Sequence, residues 1–431
     1  MRRTLRVTLS AVTIAATAAL FACSSSSTGS GPSGSGSGGL TPATLRLISL
    51  ASDQPGLDRV IADWAKIHPD IKIQASYFPS GDPYTTTVST QFSGGNGSDF
   101  VWLISGHASP TSTQVFAKAG YLADLTGESW VGTMYAPTKP LYQLDNKVYV
   151  RDLGMSPLAI VNYNKDYFAK NNLQLPQTFA DFLSLCQNIA GKGMTPVSWG
   201  AATQAVNAND LAVLAGNTVF ANNPNWLPDA VAGKTTFSQT PGWRAAVQQI
   251  ADMKSAKCFS PGVSGVALTQ MISDFANSKT AMMFTYGGLV GNVLQQTPSM
   301  KVGMFPMPAP DTADTRVTVQ AAGGLGINAK TQHLADAKAF LDFISTPDEQ
   351  AAFAQLSNLI SPVDAVSGNL TGTYTDIKSY FSGNKVLADP TAQWPNTSYN
   401  TNTGASLQGL FTGQKSVDAV LKDMDTFFAA K

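Results

Sequence analysis

The chain has 431 residues, which argues for more than one folding unit, because single cores stop growing near roughly 250–300 residues. Its 28 lysine and arginine residues balance 28 aspartate and glutamate residues, and the charged fraction of 13% is about half the usual 25% or so. Zero net charge without a basic cluster argues against nucleic-acid binding, and three scattered histidines (His68, His107 and His333) argue against a three-histidine metal site.

The first predicted element is a removable signal over residues 1–22. Three arginines precede the apolar run 7–20, which is too short for an ordinary membrane span and typical of a signal peptide. The run ends in Leu-Phe-Ala-Cys, which resembles a bacterial lipobox, so we expect lipidation of Cys23. An ordinary secretory signal with a chance cysteine is the alternative. Residues 23–40, rich in serine and glycine, are then a flexible tether.

Strands alternate with helices from residue 44 onward. Residues 44–50 and 71–77 alternate apolar and polar positions as strands do, and residues 57–67 between them carry a helical apolar stripe. Residues 100–104 form a continuous apolar strand of the kind found in parallel sheets covered on both faces. This order predicts an α/β protein with a doubly wound sheet.

Later helices are predicted from their start signals. Thr178 is placed as a hydroxyl cap, and Thr240-Pro241 opens a helix that runs to about residue 257. Thr346 opens a third helix, and Glu349, one of two glutamates in the chain, is placed as its capping-box partner.

Eight motifs, taken in chain order, match one family. They are KAGYLADLT at 118–126, DNKVY at 145–149 with NYNK at 162–165, LPQTFADF at 175–182, FANSKTAM at 275–282, FPMP at 305–308, the glycine pair 323–324, the run 337–345 and VDAVLKD at 417–423. Together they resemble the extracellular solute-binding proteins of carbohydrate ABC transporters, the group similar to maltose-binding protein.

This resemblance implies a type II fold with two lobes, three hinge crossings and a ligand cleft between the lobes. Lobe one would comprise 41–150 and 286–345, and lobe two would comprise 153–281 and 360–431. The crossings would lie near 150–153, 282–286 and 345–365. The ligand would favour the closed state.

Candidate ligand contacts in lobe one follow its strands, because ligands of open α/β sheets bind at the carboxyl ends of strands. Ser52 and Asp53 follow the first strand, although Asp53 could equally cap the next helix. Ser105 and His107 follow the strand at 100–104, although a solvated loop histidine is as plausible. At the first crossing we expect Asp152 to accept ligand hydroxyls.

Aromatic platforms for a sugar ring are expected mainly in lobe two. The resemblance suggests Trp199, for which a core position is the competing interpretation, and Tyr286, where many relatives carry a tryptophan. Either Trp394 or Tyr399 would stack on the ligand as well. Gly324 lies in a glycine-rich stretch that we interpret as a close backbone approach near the cleft rather than a nucleotide motif.

Two cysteines remain beyond the signal. The resemblance to relatives from high-GC Gram-positive bacteria implies a disulfide between Cys186 and Cys258, with two buried thiols as the alternative.

The predicted function is capture of a sugar, such as an oligosaccharide or a glycoside, and its delivery to ABC permease subunits. The protein would be a monomer, lipid-anchored on the outer face of the membrane, with no cofactor, metal or catalytic residue. A binding protein for a polyol or peptide is the second hypothesis. A secreted glycosidase that uses an aspartate pair is the third.

Overall fold

The computed structural model describes residues 43–395 and 398–429, so the predicted signal, Cys23 and the tether lie outside the described residues. Among these residues the strands are β1 Ala43–Leu50, β2 Ile71–Phe78, β3 Phe100–Leu103, β4 Gln143–Leu144, β5 Lys147–Val148, β6 Val150–Asp152, β7 Met155–Pro157, β8 Ile160–Asn164, β9 Thr195–Ser198, β10 Thr280–Thr285, β11 Val302–Phe305, β12 Val317–Ala321, β13 Gly324–Ile327 and β14 Val386–Ala388. The α-helices are α1 Gln54–Ile67, α2 Asp82–Ser93, α3 Thr113–Lys118, α4 Lys165–Lys170, α5 Phe179–Gly191, α6 Gln204–Ala215, α7 Trp226–Val231, α8 Pro241–Ser255, α9 Leu268–Ala276, α10 Val290–Gln296, α11 Leu334–Ile344, α12 Pro347–Leu356, α13 Pro362–Ser367, α14 Lys378–Ser382, α15 Tyr399–Thr412 and α16 Val417–Ala429.

Lobe one is built on a sheet whose described strands have the order β2-β1-β3-β13-β6. β1 runs parallel to β2 and β3, whereas β13 is antiparallel to both β3 and β6. The predicted apolar stripe of α1 is buried against this sheet at Leu57, Val60 and Trp64, and the Trp64 indole donates to the Ile71 carbonyl at 3.0 Å. The α/β prediction for this part of the chain is confirmed.

Lobe two is built on a second sheet, with the described strand order β11-β8-β10-β9. β9 and β10 are parallel, so their carboxyl ends lie at the same edge. Its core contains a group of aromatic side chains from distant parts of the chain: Trp199, Trp226, Phe237, Trp243, Trp394 and Tyr399.

A third sheet, β14-β12-β7 among the described residues, adjoins both lobes. Two residues separate β6 of lobe one from β7, and two residues separate β12 from β13 of lobe one. The expectation that all of 286–345 lies in lobe one is wrong, because β11 pairs with β8 in lobe two. The chain therefore stays in lobe two beyond 282–286 and returns to lobe one at 322–323.

The disulfide between Cys186 and Cys258 is present, as the family resemblance implied. The two Cα atoms are 4.9 Å apart and both residues are fully buried. The bond links α5 to the segment after α8, across 72 residues of sequence.

The helix start signals have different outcomes. Thr178 and Asp181 form a reciprocal capping box at α5. At α12 the expected box is absent: Thr346 makes no capping bond, and a Glu349 carboxylate oxygen lies 3.9 Å from the Arg59 guanidinium of α1. The ion pair with a neighbouring helix is available to Glu349 because α1 and α12 pack together.

Candidate functional site

In lobe one, several of the predicted ligand contacts lie at the same edge of the sheet. The registers align Leu103 of β3 with Gly324 of β13 and Gly324 with Asp152 of β6. Ser52 and Asp53 follow β1, which runs parallel to β3, and therefore lie at the same edge. Strand pairing therefore places residues up to 272 positions apart in sequence, Ser52 and Gly324, at one edge.

Asp53 is 8% exposed and accepts a hydrogen bond from Ser49 Oγ at 2.9 Å. Ser52 Oγ contacts its other oxygen at 3.4 Å, and Ser52 itself is exposed. Asp53 stands at the position before α1 but makes no capping bond, so the capping alternative is wrong. Burial raises the pKa of Asp53 to about 6, against the opposing effect of the two serine hydroxyls.

The loop after β3 is held by backbone contacts. The His107 N–H donates to the Ala392 carbonyl at 3.0 Å, and its Nδ1 lies 3.1 Å from Gln114 Oε1. Gly106 has φ of +74°, and a Cβ there would lie 2.1 Å from the same Ala392 oxygen. Ser105 is buried, whereas His107 is half-buried. This loop is therefore fixed against the segment at 390–393.

Asp152 is paired with its neighbour in the chain. Arg151 donates to one Asp152 oxygen and, through Nε, to Ser345 Oγ at 2.7 Å, while its guanidinium lies 5.3 Å from the ring centre of Trp130. Arg151 and Asp152 are 1% and 2% exposed, and burial lowers the pKa of Arg151 to about 10. The second oxygen of Asp152 has no hydrogen-bond partner among the described residues.

Gly324 fits the interpretation of a close backbone approach. A Cβ at this position would lie 2.2 Å from the carbonyl oxygen of Arg151. A side chain here would push β13 away from β6 and disturb the row that carries Asp152. Gly324 thus maintains the geometry of the edge.

Lobe two contributes Tyr286, which directly follows β10. Asn209 of α6 donates to the Tyr286 hydroxyl oxygen, and the ring packs against the lobe-two core. Burial, with smaller effects from Asp210 and Asp389, raises the pKa of the Tyr286 phenol well above its ordinary value. Both aspartates therefore lie within electrostatic range of this hydroxyl.

Asp210 was missed by the sequence analysis. It is 1% exposed, and its Oδ2 has no hydrogen-bond partner among the described residues. Burial raises the pKa of Asp210 well above its ordinary value. The available signal was three polar residues, Asn207, Asn209 and Asp210, inside the otherwise apolar run VNANDLAVLA.

Asp389 was also missed. It follows β14, is 3% exposed, and accepts bonds from the Thr391 N–H at 2.8 Å and the Thr391 hydroxyl at 2.7 Å. Burial raises the pKa of Asp389 to about 6. The adjoining turn at 390–393 packs against α6 and, through Ala392, against the His107 loop, so this segment contacts both lobes.

Trp199 occupies the core position that was the competing interpretation. It is 1% exposed, its Nε1 donates to Asn207 Oδ1 at 3.1 Å, and its ring meets Phe259, Phe284 and Phe411. With its ring surrounded by these side chains, it offers no platform to a ligand.

The stacking role expected for Trp394 or Tyr399 is not supported by their positions. Each is 2% exposed, and each packs within one aromatic cluster. Members of that cluster are Trp226, Phe237, Trp243, Trp394, Tyr399 and Phe428. The prediction is wrong because ring-to-ring contacts within lobe two cover the faces that a sugar would need.

Lowering the pH from about 7 to about 5 is expected to stabilise the unliganded protein through Asp53 and Asp389. Their folded pKa values of about 6 exceed the ordinary value of 3.8, so this contribution is fully present below pH 3.8 and is lost as the pH rises through 6. On lowering the pH from 7 to 5, protonation of each carboxyl should raise the free energy of unfolding by about 1 kcal/mol. Thermal unfolding of Asp53→Asn and Asp389→Asn variants measures this, because each should show a smaller pH response than the parent protein. Equal responses in all three proteins would contradict the assignment.

Among the described residues no cluster of three or more histidine, cysteine, aspartate or glutamate side chains is arranged to hold a metal ion. The same part of the chain contains no helix with the length and apolar character that a membrane crossing requires.

Comparison with known proteins places these features among binding proteins. The profile of a family described as bacterial extracellular solute-binding protein matches residues 49–351. The multiple sugar-binding protein of Streptococcus mutans is 25% identical over 297 residues, which cover 67% of this chain and 68% of that relative. An uncharacterised lipoprotein of Streptomyces antibioticus is 23% identical over 327 residues, covering 73% and 69% of the two chains.

The same fold occurs in solved structures. A sugar transporter protein of Bacillus licheniformis in complex with stachyose superposes with a TM-score of 0.65 at 17% identity. The match covers 89% of this chain and 98% of that one. The two-lobed architecture is thus shared at an identity of 17%.

Proposed function

The chain belongs to the family of bacterial extracellular solute-binding proteins, and on this premise we propose that it binds an oligosaccharide between its two lobes and delivers it to an ABC importer. The proposal is supported by the polar edge at which β1, β3 and β6 end in lobe one. It is also supported by the Asn209–Tyr286 pair at the corresponding edge of lobe two. The multiple sugar-binding protein of Streptococcus mutans and the stachyose complex support the ligand class.

The residues at this site suit saccharide hydroxyls. Asp53, Asp152 and Asp210 are acceptors, and Ser105 and Tyr286 can both donate and accept. All except Tyr286 are less than 9% exposed, so hydrogen bonds formed there are shielded from water and fix the ligand orientation. The protein releases its ligand unchanged and acts as a carrier rather than an enzyme.

Delivery requires a position at the membrane. We place the protein on the outer face of the cell membrane, held through lipidated Cys23 and the 23–40 tether, where it docks as a monomer on the permease subunits. The uncharacterised lipoprotein of Streptomyces antibioticus supports this anchoring.

Thermal unfolding of the purified protein against raffinose, maltotriose, cellotriose, xylotriose, sorbitol and a tripeptide tests the proposal. A ligand at a hundredfold excess over its dissociation constant should stabilise the protein by about 2.7 kcal/mol. Stabilisation by a trisaccharide, with no product detected by chromatography, is the expected result. Product formation would favour the glycosidase, and stabilisation by sorbitol or the tripeptide alone would favour a non-sugar carrier.

A Tyr286→Phe variant locates the site. Loss of the hydroxyl should weaken binding of the stabilising sugar by about tenfold, since a buried hydrogen bond contributes roughly 1 kcal/mol or somewhat more. Tyr167→Phe is the matched control, because Tyr167 lies on α4, beyond the carboxyl end of β8 and therefore at the opposite edge of the lobe-two sheet. Equal affinity of all three proteins would place the ligand elsewhere.

A further inference from the structure

Asp210 is an exception among the buried polar side chains of α6 and the turn that follows it. Every residue from 206 to 215 is buried. Asn207 bonds Trp199, the Ala201 carbonyl and the Gly404 carbonyl, and Asn217 bonds the Met307 carbonyl and the Arg316 N–H. Asp210 lies between these two asparagines, yet its Oδ2 has no partner among the described residues. Buried polar atoms are normally satisfied, so this oxygen stands out as an acceptor able to take a hydrogen bond from a ligand group.

The surroundings of Asp210 connect it to the proposed cleft. Its neighbour Asn209 donates to Tyr286 at the end of β10, and α6 packs against the turn at 390–393 that follows Asp389. In that turn, the Ala392 carbonyl accepts a hydrogen bond from the His107 N–H of lobe one. Asp210 and Asp389 are thus connected, through Asn209 and through this turn, to Tyr286 of lobe two and to the His107 loop of lobe one.

The carboxylates at this site lack compensating positive charge. Among the described residues, no lysine, arginine or histidine forms an ion pair with Asp53, Asp210 or Asp389. The nearby Arg151 is committed to Asp152. A buried carboxylate that is neither paired nor fully hydrogen-bonded is strongly disfavoured, so these groups require either protons or an incoming cation.

We propose that the cleft takes a saccharide bearing a protonated amino group, which donates to the Asp210 carboxylate. This inference rests on the proposed oligosaccharide function and specifies its ligand class. A ligand hydroxyl could donate one hydrogen bond to Asp210, but it would not neutralise the negative charge of the carboxylate. An ammonium group supplies both a donor and the missing positive charge, and charge-assisted bonds of this kind are roughly twice as strong as neutral ones. Asn209 and Tyr286 remain available for the ordinary hydroxyls of the same ligand.

Matched pairs of saccharides that differ only in amino groups replacing hydroxyl groups test the proposal. The probes are the β-1,4-linked glucosamine trimer with cellotriose, trehalosamine with trehalose, and galactosamine with galactose, each titrated calorimetrically into the purified protein. In at least one pair the amino member should bind at least tenfold more tightly. The inference is overturned if no pair shows this preference.

Asp210→Asn is the decisive variant. It keeps the shape of the side chain and removes a carboxyl group whose ionisation burial disfavours, so its thermal midpoint should equal or exceed that of the parent protein. The amino preference should fall at least tenfold in this variant and persist in Asp166→Asn, in which an aspartate of lobe two with 63% exposure is neutralised. A preference that Asp210→Asn leaves intact overturns the role of Asp210. Tight binding of neutral sugars only would overturn this inference while leaving the oligosaccharide function standing, whereas failure of every saccharide would reject both.

Discussion

Replacing Cys186 and Cys258 together by alanine is expected to lower the free energy of unfolding of lobe two by about 4 kcal/mol. The disulfide closes a loop of 72 residues, and in the chain-entropy description the cost of closing such a loop is removed from the unfolded state. Both cysteines are fully buried and belong to the same core as four tryptophans. Urea unfolding followed by tryptophan fluorescence measures the loss, since four of the seven tryptophans lie in this core.

The control for this prediction is the thiol content. In a Cys23→Ala protein, denatured without reductant, titration should find no free thiol, and two should appear after reduction. Reductant should shift the urea midpoint of the Cys23→Ala protein but not that of the variant in which Cys23, Cys186 and Cys258 are all replaced by alanine. Two free thiols before reduction, or a loss of stability below about 1 kcal/mol, would contradict the structural role of the bond.

Replacing Arg151 by methionine is expected to destabilise lobe one by about 3–5 kcal/mol, the usual result of removing one partner of a buried ion pair. The guanidinium is 1% exposed and bonds Asp152 and Ser345, while its face lies over Trp130. Methionine retains much of the side-chain volume, so most of the loss comes from the Asp152 carboxylate, which remains buried without its counter-charge. Urea unfolding at neutral pH measures the difference.

The double variant Arg151→Met with Asp152→Asn separates charge from packing. Removing both charges of a buried pair is often nearly neutral, so the double variant should recover most of the stability lost in the single one. If the two variants are equally unstable, the guanidinium acts through its contacts with Trp130 and Ser345 instead. Asp152→Asn alone, which leaves the arginine uncompensated, should also be destabilised.

The strands and helices nearest the amino end of the described chain were predictable because their periodicity is local. The observed bounds of β1, β2 and β3 each lie within one residue of those that the apolar pattern predicts, and α1 begins three residues earlier. The positions of Asp53 and Ser105 after β1 and β3 were predictable for a related reason, whereas Asp152 was expected from the hinge crossing that the family resemblance implies. Strand ends can be read from the sequence, and parallel strands place their ends together.

The aromatic residues of lobe two were not predictable in the same way. From the sequence, we expected Trp394 or Tyr399 to stack on the ligand. In the structure Trp394 packs against Trp226 and Trp243, which lie more than 150 residues earlier in the chain. Whether a ring is a free platform depends on which distant side chains cover its faces. The same holds for Glu349, which lost its local cap because a guanidinium from α1 is within reach.

By itself, therefore, the sequence determined the fold class and the family, and the family resemblance implied the disulfide partners, since each depends on local patterns or on motifs in a recognisable order. Only the tertiary structure decided which polar groups are left without partners. The sequence offers a run of polar residues around Asp210, but it does not show that Asp210 or Asp389 is buried or lacks a counter-charge, because both are properties of the surrounding elements. The packing of α6 against β10 and the turn at 390–393 gives these two carboxyls their raised pKa values and their place in the proposed site.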